Sequence, residues 1–390
     1  MKKRRKLTAI ITLELLCLAL LCGLLIDFQK TRTASSTEAG SARNKETTSD
    51  KKTSDNETSG KETKNEKKDF IKWVEFNVPY EALSVAYDLD VESHDSKASV
   101  NWIELLAYIA AKNGGTFSGD YTRQLTETAT DLTNKTTTMK KLTKDLKNYD
   151  YFLEAYTAVL GGYVGDYEIE TEPGSGKYEK QYGLKTFSPI AKGFPYSDFD
   201  DFGTARSYGF SRPHLGHDMM GQIGTPIIAV ESGYVEALGW NQYGGWRIGI
   251  RSFDKKRYYY YAHLRQNSPY QKGLKEGSIV TAGDVIGYMG HTGYSKTENT
   301  NNIDEVHLHF GIQLIFDESQ KDGNSEIWIN PYQLTRFLYS NQSEAARVND
   351  SKVWKRVQDM KDPAVETYKS TKNSDKDHSN SQNRDSDKES

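Results

Sequence analysis

The chain has 390 residues, enough for two domains, and a net charge of −3 that gives no footing for nucleic acid as a partner. Its two cysteines, Cys17 and Cys22, both fall in the first apolar segment, which excludes disulfides as a source of stability for the rest. Tyrosine is abundant, at 25 residues, and points to folded domains with a wet, carbohydrate- or peptide-facing surface.

At the N-terminus, Lys2, Lys3, Arg4, Arg5 and Lys6 precede an apolar run from Leu7 to Ile26. About 20 such residues can just span a bilayer. The basic cluster belongs on the cytoplasmic side, so the remainder is exported. Residues 1–28 therefore read as a single-pass plasma-membrane anchor. A cleaved signal peptide is the rival reading, favoured by Glu14, which interrupts the apolar run. Against it, no small-x-small cleavage site follows closely.

Residues 29–69 contain Ala34, Ala39 and Ala42 as their only apolar side chains and cannot bury enough surface to fold. They read as a disordered linker whose ends lie roughly 35 Å apart. Residues 70–183 read as a small helical domain. In Asn101–Lys112, Ile103, Leu106, Ala107 and Ala110 follow helical spacing, with Asn101 and Glu104 as a capping pair. A last helix is expected near Tyr149–Leu160, and His94 reads as a surface histidine.

From residue 184 the pattern changes. Sixteen of the 31 glycines fall between Gly203 and Gly293. They separate short β-branched and aromatic runs: Pro226–Val230, Gly233–Leu238, Trp246–Ser252, Arg257–Leu264, Ser278–Val280 and Val285–Met289. Such spacing predicts an antiparallel β fold over 184–340. Residues 329–360 return to a short helical pattern, and disorder is expected from about Lys361. The segment 341–390 thus reads as a helix and a disordered tail.

Six of the eight histidines lie between His214 and His309. His307 and His309 would share one face of a strand about 7 Å apart, with Leu308 and Phe310 turned to the core. One can bind a metal while the other reaches a metal-bound water. His214 and Asp218 are too far apart on a straight strand to share an ion, and Pro213 and Gly216 oppose a helix. The chain must bend between them, which Gly216 permits. Two histidine nitrogens and one carboxylate oxygen leave a fourth tetrahedral position for water, as in catalytic zinc sites.

His214-x-x-x-Asp218, Tyr261-Ala262-His263-Leu264 and His307-Leu308-His309-Phe310 together resemble the lysostaphin/LytM-type zinc metallopeptidases, which cleave peptides in bacterial peptidoglycan. Gly224-Thr225-Pro226, Ala229, Gly233 and Val235 are similar to that family's core strand and turn. So are Gly283-Asp284-Val285-Ile286-Gly287 and Gly290-His291-Thr292-Gly293. The likeness covers residues 205–315.

The resemblance implies Zn²⁺ held by His214, Asp218 and His309. It implies that His263 and His307 flank the water, one as base and the other orienting it or stabilising the oxyanion. It gives Tyr208 the role of donor to that oxyanion. His217 and His291 are expected to be structural. The fold class implied is α+β: an N-terminal anchor, a small helical domain and an antiparallel peptidase domain. The partner implied is a stem or cross-bridge peptide of peptidoglycan, in a Gram-positive-like envelope. The ensemble is similar to membrane-bound enzymes of endospore formers, some of which cut the L-Ala–D-Glu bond. A catalytically idle scaffold of the same fold, with a binding role in sporulation, is the alternative.

Two departures stand out. The family usually places Glu where this chain has Gly311. The segment Tyr294–Val306 is longer than usual, and its polar, acidic part, Thr297–Glu305, is expected beside the cleft.

Overall fold

Five helices come first: α1 (Tyr80–Ser93), α2 (Trp102–Lys112), α3 (Tyr121–Thr133), α4 (Met139–Thr143) and α5 (Tyr149–Leu160). They belong to a computed structural model that describes residues 70–207 and 211–372. α2 starts where the Asn101 side chain accepts hydrogen bonds from the amides of Ile103 and Glu104. Its predicted face, Ile103, Leu106, Ala107 and Ala110, is buried. In the Thr-rich stretch, the hydroxyls of Thr126, Thr128, Thr130 and Thr133 donate to carbonyls four residues back. Those polar side chains are thereby satisfied within the helix.

Within 70–183 the last helix ends at Leu160, where the sequence places its end. The remainder forms an antiparallel hairpin, β1 (Val164–Glu170) with β2 (Tyr178–Leu184). Gly174 and Gly176 turn it with positive φ values of 76° and 67°. The short strands β3 (Ala205–Ser207), β4 (Ser211–Pro213), β5 (His217–Met220) and β6 (Pro226–Ile228) follow. After them come β7 (Gly233–Asn241), β8 (Gly245–Ser252), β9 (Arg257–Ala262), β10 (Ile279–Val280) and β11 (Val285–Tyr288). The strands β12 (His307–Leu314) and β13 (Ile327–Ile329) complete the main sheet.

That sheet has seven antiparallel strands, in the order β10-β7-β8-β9-β12-β13, with β5 also paired to β12. The first half of β12 pairs with β5 and its second half with β13, while β9 runs along the other edge. The fold is thus a mixed helical and antiparallel-sheet one. A single cluster of buried residues runs from α2 and α5 (Leu105, Val159) into the sheet (Val235, Ile250, Phe310).

The helical pattern over 329–360 is realised only in α6 (Tyr332–Leu338). Beyond it lie the strands β14 (Ala345–Arg347), β15 (Trp354–Arg356) and β16 (Met360–Lys361), the last pairing with β1. Disorder from Lys361 is also corrected, because residues 363–372 are helical. Tyr368 stacks on Phe253 at 4.5 Å and on Tyr234 at 5.6 Å, and Val365 is buried. Two apolar contacts hold a segment whose overall composition looks unfoldable.

Tyrosine needs a second correction. Tyr156, Tyr163, Tyr259, Tyr261 and Tyr288 are core residues rather than a wet surface. A buried phenol needs a hydrogen-bond partner. The Tyr259 hydroxyl donates to Glu231 Oε2 at 2.6 Å, and that of Tyr261 accepts from the Val230 amide at 3.0 Å.

Glu231 also receives Arg257, a guanidinium only 1% exposed. Arg257 Nε and Nη2 donate to its two carboxylate oxygens at 2.7 and 3.0 Å. Nη1 donates to the Ala158 carbonyl at 2.6 Å, which ties α5 to β9. Gly162 stands against this pair, because a Cβ there would overlap Glu231 Oε1.

No helix among the described residues is long and apolar enough to cross a membrane. The anchor expected at 1–28 and the linker at 29–69 lie outside the described residues.

Removing Glu231 would leave the buried Arg257 with only the half-exposed Asp254, 2.7 Å from Nη2, as counter-charge. Glu231→Ala is therefore expected to lower stability by about 3–5 kcal/mol in urea unfolding. An unfolding midpoint equal to that of the wild type would contradict this account of how helices and sheet are joined.

Candidate metal centre

The site is built on the pairing of β12. His309 lies opposite Asp218 of β5 on one side and Ala262 of β9 on the other. Side chains directly opposite each other share a face, so Asp218 and His309 project together. His307, two residues earlier, points the same way. The alternate residues Leu308 and Phe310 are fully buried on the other face. His214 reaches the site from the bend between β4 and β5.

The three donor atoms form a nearly equilateral triangle. His214 Nε2 lies 3.0 Å from Asp218 Oδ1 and 3.0 Å from His309 Nδ1; the third side, His309 Nδ1 to Asp218 Oδ1, is 2.9 Å. Hydrogen bonds alone serve such a triangle poorly. If both ring nitrogens donate to Asp218, two N–H groups crowd each other; if one does not, two lone pairs do. A cation among the three removes the conflict. Two ligand atoms of a tetrahedral zinc lie about 3.4 Å apart, so the spacing needs only a small expansion. The donor set of two imidazoles and one carboxylate is one that zinc accepts, with a position left open. Among the described residues, His214, Asp218 and His309 are the group of His, Cys, Asp or Glu side chains close enough to share a metal ion.

The surroundings set the charge state. Burial by itself would raise the Asp218 carboxyl. Hydrogen bonds from His214 and His309 and the charges of His309 and His307 outweigh it, so the group sits well below the usual carboxylate range. Arg206 Nη2 stands 3.3 Å from Asp218 Oδ2 and is also bonded to Asp201. Asp201 Oδ1 in turn lies 3.1 Å from His214 Nδ1, close but without a straight hydrogen-bond alignment. Sequence reading missed both residues. Asp201 sits among Asp198, Asp200 and Phe202, and nothing in that run distinguishes it.

His263 follows β9 and has a φ of 62°, an unusual conformation for a residue with a side chain. Its neighbours impose it. The His263 amide donates to Gly244 O and its carbonyl accepts from the Gly290 amide, at 2.8 and 3.1 Å. Its Nδ1–H donates to the Thr292 carbonyl at 3.0 Å. His307 Nδ1–H likewise donates to Glu305 O at 2.9 Å. Since a carbonyl only accepts, Nε2 is the nitrogen without a proton in the neutral form of either ring. The two rings lie 4.7 Å apart, and His307 Nε2 is 3.8 Å from Asp218 Oδ1. Burial, with His307 and His309 nearby, pushes the His263 imidazole well below its usual range, so it is neutral near pH 7.

The other expected residues separate cleanly. His217 is turned away from the metal ligands: its Nε2 lies 2.9 Å from Asp198 Oδ2 and its ring meets Tyr332 edge-on. His291 donates from Nδ1 to Ile303 O at 2.7 Å and so pins the long loop. His94 stacks on Tyr182 at 3.4 Å. Tyr208 lies outside the described residues.

Two glycines make the space. A Cβ on Gly216 would fall 2.5 Å from His309 Cε1 and 2.9 Å from Phe310 O. Its φ is not in the left-handed region, so close approach rather than the bend requires glycine here. A Cβ on Gly311 would meet Trp328 at 2.8 Å, so an indole occupies the place beside this departure from the family pattern. The ligands open into a cleft of about 610 Å³ whose lining includes Phe199, Tyr243, Tyr294, Asp304 and Glu305.

Residues 212–323 match Peptidase family M23, as the motif resemblance implies. The L-Ala–D-Glu endopeptidase of Bacillus subtilis (strain 168) is 38% identical over 137 residues, 35% of this chain and 39% of that one. Lysostaphin of Staphylococcus simulans is 40% identical over 98 residues, 25% of this chain and 17% of that one. The chain thus spans about two fifths of the Bacillus relative and less than a fifth of lysostaphin. A crystal structure of LytM from Ruminococcus gnavus is 25% identical, covering 67% of this chain and 88% of that one, with a TM-score of 0.43.

The Gly216 contact gives a test. Gly216→Ala is expected to weaken zinc affinity roughly tenfold or more by displacing the His309 ring. Competition with a chromogenic chelator reads this directly; wild-type affinity in the variant would show that the close approach is unimportant.

Proposed function

Taking residues 212–323 as the M23 peptidase domain they match, we propose that this chain is a zinc endopeptidase acting on the peptides of bacterial peptidoglycan. The observation that carries this reading is the donor triangle beside two histidines, each with its Nδ1 against a backbone carbonyl.

His214 Nε2, Asp218 Oδ1 and His309 Nδ1 would hold the zinc. When bound, zinc supplies a Lewis acid for a peptide carbonyl and lowers the pKa of a water towards neutrality. The protein supplies the remainder. Arg206 and Asp201 brace Asp218 and His214. His263 is neutral, buried and fixed by its backbone, which suits a proton acceptor at Nε2. His307 presents the same nitrogen from the neighbouring strand, where it can take or orient a proton. Tyr208 is assigned as donor to the developing oxyanion on the motif alone.

The names of the relatives bear on the substrate. The Bacillus relative is named for the L-Ala–D-Glu bond, and a stem-peptide bond is the reading adopted for this chain. The basic N-terminus and the apolar run after it support attachment to the plasma membrane, with the peptidase domain on the wall side.

Two measurements test the proposal together. The full-length chain should release peptides from purified peptidoglycan, lose the activity to a chelator and regain it with zinc. His263→Ala should lose about 10²–10⁴ in turnover while keeping its zinc. Intact zinc loading with no released peptide from any wall type would falsify the reading.

A further inference from the structure

β3 and β4 form a hairpin in which Arg206 and Arg212 are directly opposite. Both line the cleft that holds the metal ligands. Two like charges in register oppose each other, so the pair needs negative partners. Arg206 has two, Asp201 and Asp218. Arg212 has no carboxylate partner among the described residues. Its Nη2 donates to the neutral Tyr294 hydroxyl at 2.7 Å, and its Nε is buried without an acceptor.

Arg212 is nonetheless held in place. Its guanidinium carbon lies 5.9 Å from the centre of the Tyr243 ring and 5.7 Å from that of Tyr294. Both are within the range of a cation–π contact. Arg212 also borders the small recess formed by His309, Tyr260 and Trp328. A planar cation clamped between aromatic rings, beside the metal ligands and lacking a counter-ion, is arranged to receive an anion. A guanidinium suits a carboxylate because its donors match both oxygens.

We propose that Arg212 is the receptor for a substrate carboxylate, and that the peptide cut by this site carries a free carboxylate next to the scissile bond. The proposal rests on the peptidase reading above and narrows it. Acidic stem peptides fit the cleft, and uncharged polyglycine bridges lack the group that Arg212 binds. Asp304 and Glu305 give the same cleft a negative part, where an amino group of the same peptide can lie. The competing account is that Arg212 only braces Tyr294, in which case its loss affects all peptides alike.

The test uses the full-length, zinc-loaded chain with two probes: L-alanyl-γ-D-glutamyl-L-lysine and the same peptide with the glutamyl α-carboxylate amidated. Wild type should cleave the acid with a kcat/KM at least about tenfold above that of the amide. In Arg212→Gln the acid-to-amide ratio should collapse towards one. Arg212→Lys, which keeps the charge but loses the fork, should retain part of it. Zinc content and melting temperature show whether each variant is folded.

Calorimetric binding of both probes to zinc-loaded His263→Ala separates this proposal from its premise. Preference for the acid in binding by this variant, with neither probe cleaved by the zinc-loaded wild type, supports the carboxylate receptor and removes the hydrolase reading. Cleavage with no preference in wild type, or a ratio unchanged in Arg212→Gln, overturns the receptor and leaves the hydrolase reading standing.

Discussion

Pairing of β12 on both edges is the constraint on which the rest of the molecule depends. On one face of this strand His307 and His309 meet the candidate metal centre; on the other, Leu308 and Phe310 enter the core. A slip of one residue would exchange the two faces. Burial of the apolar face therefore fixes the chemistry of the polar one. The same rungs place Asp218 beside His309, and β9 delivers His263 just past the rung of Ala262. Of the five described residues assigned to the chemistry, four thus come from one set of hydrogen-bonded neighbours, and His214 joins them from a bend.

Close approach is the second constraint. Gly216 lies against the His309 ring in space and Gly311 follows it in sequence, and each leaves room for a ring. At Gly216 the ring is that of His309, a member of the donor triangle. At Gly311 it is Trp328, which also meets Tyr260 edge-on at 6.2 Å. The missing family carboxylate therefore accompanies an aromatic wall beside the ligands. Asp201 and Arg206 lie on the far side of the donor set and hold His214 and Asp218. Support for the ligands comes from there, through charges that neutralise one another in a partly buried setting.

Buried charge recurs at a distance from the site. Arg257 and Glu231 join α5 to the sheet with each guanidinium nitrogen directed at an acceptor, and Tyr259 adds a third partner. The helices and the strands share one core, so this pair lies inside it rather than at a loose boundary. The contrast with Arg212 is instructive. One arginine is fully neutralised and knits the fold together. The other is held by tyrosines, lines the cleft and has no carboxylate partner among the described residues.

Local pattern determined a good deal. Strand periodicity between Gly-rich turns was enough to read β6 to β11 within a few residues, because alternation and turn residues act over short range. The spacing of His307 and His309 told which face each would occupy, and helix α5 was legible to its ends. Composition misled where tertiary contact reverses its meaning. Tyr259 and Tyr261, read as surface, are core because Glu231 and a backbone amide satisfy their hydroxyls. The acidic, Ser- and Lys-rich end is helical to residue 372 because Tyr368 and Val365 find apolar partners. Only the folded chain could single out Asp201, Arg206 and Arg212. Their significance lies in which charges face one another, and sequence separation carries no record of that. The bend that brings His214 to Asp218 was required by the sequence, but the reason for glycine at 216 was decided in space, by the ring of a histidine ninety-three residues away.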